Sequence, residues 1–190
     1  MRDFLHTLVL DEHPSYLWFL TTYGTTTGQT GHFANEIMQK KGLPFAAYFS
    51  VKMPDTWTPT FDLSDLQKVH RINLNAEREI DFSIKKIQSR SAGDYMRNKV
   101  PTILAKTFYG LEHDAMRRTS HFKVENSCIG CGLCARNCPV SAIEIRNKKP
   151  VSVKDRCVMC LSCLHHCPKF AIQYENRTKK HGQYTNPNVK

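Results

Sequence analysis

All eight cysteines of this 190-residue chain fall between positions 128 and 167, in two copies of one pattern. The first copy reads Cys128-x-x-Cys131-x-x-Cys134-x-x-x-Cys138-Pro139, the second Cys157-x-x-Cys160-x-x-Cys163-x-x-x-Cys167-Pro168. The copies are offset by 29 residues, and the register runs past the thiols, since Ala142-Ile143 falls on Ala171-Ile172. This is an internal duplication. Three thiolates at i, i+3 and i+6 in one tight loop can wrap a corner of an iron–sulfur cube. The fourth, four residues on and tethered to a proline, points away from that loop.

Two other chemistries use clustered cysteines. A disulfide framework belongs to secreted chains, and Met1-Arg2-Asp3 leads into a short apolar stretch broken by His6, which does not read as a signal peptide. Structural zinc pairs two CxxC elements across a longer gap, and a third cysteine three residues after the second is redundant for a tetrahedral ion. Iron–sulfur is the reading that uses every thiol. Between the thiols, Gly130 and Gly132 remove side chains where backbone N–H groups approach cluster sulfurs, while the second loop carries the bulkier Val158, Met159, Leu161 and Ser162. His165 and His166 read as partly exposed surface histidines, with proton coupling as the alternative.

Short alternating segments flank the loops: Phe122-Lys123-Val124, Ile143-Glu144-Ile145, Val151-Ser152-Val153 and Ile172-Gln173-Tyr174. Asn147-Lys148-Lys149-Pro150 supplies a turn, and Ala135 to Cys138 one helical turn. The expected result is two hairpin-and-helix units about a pseudo-twofold axis. Residues of about 122–175 resemble the bacterial two-cluster ferredoxins. That resemblance implies two [4Fe–4S] clusters with crossed ligation: Cys128, Cys131, Cys134 and Cys167 for the first, Cys157, Cys160, Cys163 and Cys138 for the second. Each half would lend the other a ligand, so cluster assembly and folding become one event.

The chain is longer than such a domain needs, so a second unit is expected upstream. The formal charge of +10 is unusual beside ferredoxins, which are commonly acidic, and most of the excess lies after residue 122. A basic surface suits a redox partner protein with an acidic face. No helix-turn-helix, aromatic stacking platform or zinc finger supports nucleic acid as the partner. No apolar run approaches the ~20 residues that span a bilayer. Reduced thiols and the cluster type suggest the cytoplasm of an anaerobe.

Upstream, Tyr16–Thr21 is an apolar strand candidate, followed by a threonine- and glycine-rich loop from Thr22 to Gly31. Phe33, Ala34, Ile37 and Met38 repeat at helical spacing before Gly42, and Phe45–Val51 gives a second strand. This order reads as a βαβ unit with parallel strands, whose ligands bind at the carboxyl ends. The strand ending in Thr21-Thr22-Tyr23-Gly24, the helix, and Phe49–Asp55 look like the second half of a flavodoxin-like domain. Joined to the cysteine region, the chain resembles the flavodoxin–ferredoxin fusion family. The resemblance implies that Thr22, Tyr23 and Gly24 line the ring of FMN, with the Met53–Trp57 loop over it; for Tyr23 and Trp57 simple packing is the alternative. Flavodoxins hold the FMN phosphate with a loop after their first strand. Here no such segment is present, which weighs against FMN binding by these residues alone and suggests a truncated N-terminus.

A helix is expected from Asn75 to Arg90, with Glu77, Glu79 and Asp81 early, Lys85, Lys86 and Arg90 late, and an Ile80, Ile84, Ile87 stripe. Ser91–Asp94 breaks it. The expected fold class is α+β: a partial α/β flavodoxin-like region over 1–90, a helical linker over 91–121 with Ile103, Leu104, Ala105 and Phe108 near one face, a two-cluster ferredoxin domain over 122–175, and a basic polar tail over 176–190. The leading functional reading is an electron carrier rather than a catalyst; the alternative is an FMN- and iron–sulfur-dependent oxidoreductase.

Overall fold

Two short apolar runs decide the N-terminal half. In the computed structural model, which describes residues 2–10 and 14–188 and, within one helix, no side chains of 108–113, Trp18–Tyr23 (β1) pairs in parallel with Ala47–Lys52 (β2). A short helix, Arg2–Thr7 (α1), precedes β1, and Lys41 Nζ caps its C-terminal end through the carbonyls of His6 and Leu8. The crossover between the strands is Thr30–Lys40 (α2). Gly42, at φ +73°, ends α2 as expected: its N–H bonds Gln39 O and the Leu43 N–H reaches back to Met38 O. The βαβ unit is therefore present, each strand beginning two residues later than the sequence suggested.

The helix expected from Asn75 starts nine residues earlier, as Leu66–Gln88 (α3). Glu77, Glu79 and Asp81 therefore lie in mid-helix, where they cannot serve the N-terminal dipole. Its inward positions are Ala76 and Ser83, with Ile80 and Ile87 half-buried; Ile84 is exposed, so the stripe runs one position away from the expected isoleucine triad. The break after α3 is also a strand. Gly93–Asp94 (β3) pairs in parallel with β2, which makes a three-stranded sheet in the order β1-β2-β3. As the middle strand, β2 is buried on both faces. Tyr48 packs with Phe19, Phe45 and Met38 on the α2 side, while Phe49 stacks on Tyr95 at 5.2 Å, and Tyr95 meets the α3 residue Phe82 edge-on at 5.6 Å. Helices on opposite faces of a parallel sheet are the α/β arrangement.

Thr102–Met116 (α4) follows Pro101 as anticipated. Ile103 and Leu104 are exposed, so the expected apolar face is not a buried one; the Phe108 side chain lies outside the described residues.

The cysteine region forms two antiparallel pairs. Phe122–Val124 (β4) pairs with Ile172–Tyr174 (β7), and Ile143–Arg146 (β5) with Lys149–Ser152 (β6). The first pair joins the two ends of the region, so only β5–β6 is a hairpin, where two hairpins had been expected. Asn147 and Lys148, both at positive φ, make its two-residue turn. Each helical turn starts directly inside its loop, at Leu133–Arg136 (α5) and Ser162–His165 (α6).

The chain divides into two units: 1–54 with 67–107, and 55–66 with 108–190. This partition differs from the expected one. Residues 91–107 belong with the parallel sheet, and 55–66, inserted between β2 and α3, belongs with the cysteine region. Among the described residues, no helix is long and apolar enough to cross a membrane.

Candidate iron–sulfur centre

The thiols surround two cavities. Cys128, Cys131, Cys134 and Cys167 line one; Cys138, Cys157, Cys160 and Cys163 line the other. Each cavity thus takes three thiols from one copy and the fourth from the other. Pro150 and Ile172 stand in the walls of both. All eight cysteines are free. Among the described residues no three His, Cys, Asp or Glu side chains converge tightly enough for a single ion, so these thiols face wider spaces.

Local backbone geometry aims the sulfurs. The helical turns α5 and α6 are entered through left-handed residues, Gly132 (φ +75°) and its counterpart Leu161 (φ +54°). Gly130 and Met159 form the second such pair, at +70° and +54°. The first copy uses glycine where this conformation is free of cost; the second holds side chains in it. The fourth cysteines are matched as well: Cys138 Sγ accepts the Ala142 N–H at 3.2 Å, and Cys167 Sγ accepts the Ala171 N–H at 3.3 Å. Both alanines are fully buried, which fixes these donors. Such N–H···S bonds stabilise charge on the sulfurs and are a lever on potential.

Burial pushes the Cys163 thiol up to about 12, with the sulfurs of Cys160, Cys134 and Cys157 adding to it; burial is also the main cause of the upward shifts of Cys134 and Cys157. Partly buried thiols crowded by one another resist ionising, and a bound cation would take up their charge. Four-thiol cavities of this kind fit a [4Fe–4S] cluster, whose binding would release protons.

Residues 127–171 match the 4Fe-4S dicluster domain family. That stretch is a ferredoxin-like iron–sulfur domain. No curated protein and no solved structure matches the chain.

The ferredoxin-like domain carries a wrapping that its motif did not announce. His165 is buried, which corrects its expected surface position, whereas His166 is exposed. His165 Nε2 donates to the Thr56 carbonyl at 2.9 Å, and its Nδ1 accepts the Tyr184 N–H at 3.2 Å, so this tautomer is fixed and burial lowers its pKa. One imidazole thereby ties the inserted 55–66 segment and the C-terminal tail to α6. The tail is held further by Gln183 Nε2, which donates to Leu164 O and Cys167 O, and by buried Thr178, which donates to Gln173 Oε1 at 2.6 Å. Trp57 packs against Tyr174 at 5.8 Å, inside this unit. His165→Ala leaves the Thr56 carbonyl and the Tyr184 N–H unpaired and should cost about 2 kcal/mol, against less than about 0.5 for His166→Ala, in paired melts of the reconstituted protein.

The flavin candidates lie at the end of β1. Thr22 is exposed, Gly24 half-buried, and Tyr23 is in the core, its hydroxyl 3.4 Å from Asn98 Nδ2. The adjoining loop is strapped to 97–100. Thr26 Oγ1 donates to Asn98 O at 2.6 Å, Thr27 Oγ1 to Arg97 O at 2.8 Å, and Gln29 to Val100 O. These donors satisfy the chain's own carbonyls, and Tyr23 is buried beside them.

Proposed function

We propose that this protein relays single electrons through two [4Fe–4S] clusters, one held by Cys128, Cys131, Cys134 and Cys167 and the other by Cys157, Cys160, Cys163 and Cys138. When bound, each cluster supplies a one-electron redox site of low potential. The observation that carries this reading is the exchange of the fourth thiol between the two cavities, which supports the ligand sets that the duplicated motif implies. The chain's own residues do the rest. Pro150 and Ile172, shared by both cavity walls, hold the sites close and dry between them. The buried Ala142 and Ala171 amides stabilise the fourth sulfurs. Cys131 and Cys160, the exposed members of their sets, give each site an edge at the surface where a partner can approach.

Film voltammetry of anaerobically reconstituted protein tests the proposal. Reversible reduction with two one-electron equivalents per chain is expected; a single equivalent, or none at potentials that reduce [4Fe–4S] centres, would overturn it.

A further inference from the structure

The two surface edges are alike in shape and unlike in charge. At the first, Cys131 is exposed and neighbours Ile129, itself 59 % exposed. Three cations stand around that loop. Arg136 Nη1 donates to the Cys131 carbonyl at 2.9 Å, Lys148 sits in the hairpin turn that packs on Gly130, and Lys169 lines the same cavity as the four thiols. All three are exposed, and among the described residues none has a carboxylate partner. The nearby acids are engaged elsewhere: Glu144 with Arg146 at 2.9 Å, Glu125 with Lys179 at 2.9 Å.

The duplication supplies an internal control. Shifted by the repeat, Arg136 falls on His165, which is buried and bonded; Lys148 falls on Arg177, paired with Glu175 at 3.1 Å; Lys169 falls on Val140. Of the cations that approach the second cavity, Arg156 and Arg117 both reach Asp114, at 2.9 and 3.9 Å, while Lys154 Nζ donates to the carbonyl of Val140 in its wall. Cations without a carboxylate partner are therefore more numerous at the first edge, three against Lys154 at the second, and they stand around an exposed apolar residue. A small apolar centre inside a charged rim is the anatomy of a transient protein interface, and the rim's sign selects the partner.

We propose that the Cys131 edge, rimmed by Arg136, Lys148 and Lys169, is the docking face for a redox protein with an acidic surface. This rests on the electron-transfer reading above. The one electron exchanged leaves the reduced member of the pair and reduces the other, with no bond made or broken. A nucleic-acid surface would instead offer stacking aromatics, and the lining of this cavity holds none.

The test uses the reconstituted holoprotein and an acidic plant-type [2Fe–2S] ferredoxin as probe. At low ionic strength, carbodiimide coupling should join probe carboxylates to Lys148 and Lys169, mapped by mass spectrometry. Lys148→Gln with Lys169→Gln should weaken binding in titration calorimetry about tenfold or more and flatten its salt dependence. Arg136→Gln should weaken it further and Arg136→Lys restore it, while Arg156→Gln at the other edge leaves it within about twofold. Cross-links confined to Lys123, Lys179 and Lys180, unchanged affinity in the double variant, or tighter binding of duplex DNA through the same residues would overturn the proposal. Binding at this rim without electron exchange would leave the docking face standing and defeat the electron-transfer reading; reversible reduction with undiminished binding in the double variant would do the reverse.

Discussion

Cys138→Ala should strip iron from the site around Cys157, Cys160 and Cys163 and spare the one around Cys128, Cys131 and Cys134. Cys138 is four residues from Cys134, so a local pairing would give the opposite result. The cavity lining favours the other pairing: Cys138 lines it together with Cys157, Cys160 and Cys163, and the Ala142 amide donates to its sulfur at 3.2 Å. With one of four thiolates gone, iron should fall to about half, near four per chain, and the electron paramagnetic resonance of the reduced variant should lose spin–spin splitting. Cys167→Ala should do the same to the first site. Loss confined to the site nearest in sequence would contradict the crossed assignment.

Gly130→Ala should be the most damaging substitution outside the thiols. A Cβ there would lie 2.5 Å from the Lys148 carbonyl oxygen and 3.0 Å from the Lys148 Cβ, in a backbone conformation at φ +70° that disfavours any side chain. Left-handed strain contributes about 1–2 kcal/mol. Overlap with the backbone of the β5–β6 turn adds about 1–3 more. Gly132→Ala is the matched control. Its φ is +75°, yet its nearest neighbour is the flexible tip of Arg136 at 3.2 Å, so only the conformational part, about 1–2 kcal/mol, is expected. Guanidinium melts of the holoprotein followed by cluster absorbance compare the two; equal losses would show that the Lys148 contact does not decide the effect.

Motifs that act through covalent spacing were legible from residues alone. The cysteine repeat defined two loops and a helical turn inside each, because ligand spacing and the proline that follows leave the backbone few alternatives. The βαβ unit was legible for a similar reason: apolar runs of strand length flank a helical period that ends in a glycine at C′. What was not legible depends on distant partners. Gly130 was expected to serve the cluster; its close neighbour is the turn at Lys148, eighteen positions on. His165 carries no local sign of burial, since the groups that bury and bond it come from Thr56 and Tyr184. Gly93–Asp94 is too short for any periodic signal and becomes a strand only because β2 offers it an edge. The insertion of 55–66 into the iron–sulfur unit was hidden for the same reason: its order comes from the tail, through Leu63 N–H to His181 O at 2.8 Å and His181 Nδ1 beside Thr58 O at 2.7 Å.

Iron and acid-labile sulfide analysis of protein purified without air, with resonance spectra of the reduced form, tests the central claim most directly. Two cubane sites filled by eight thiolates predict about eight irons and eight sulfides per chain, and signals split by interaction between neighbouring reduced centres. Colourless protein poor in iron, or protein carrying zinc in its place, would contradict it.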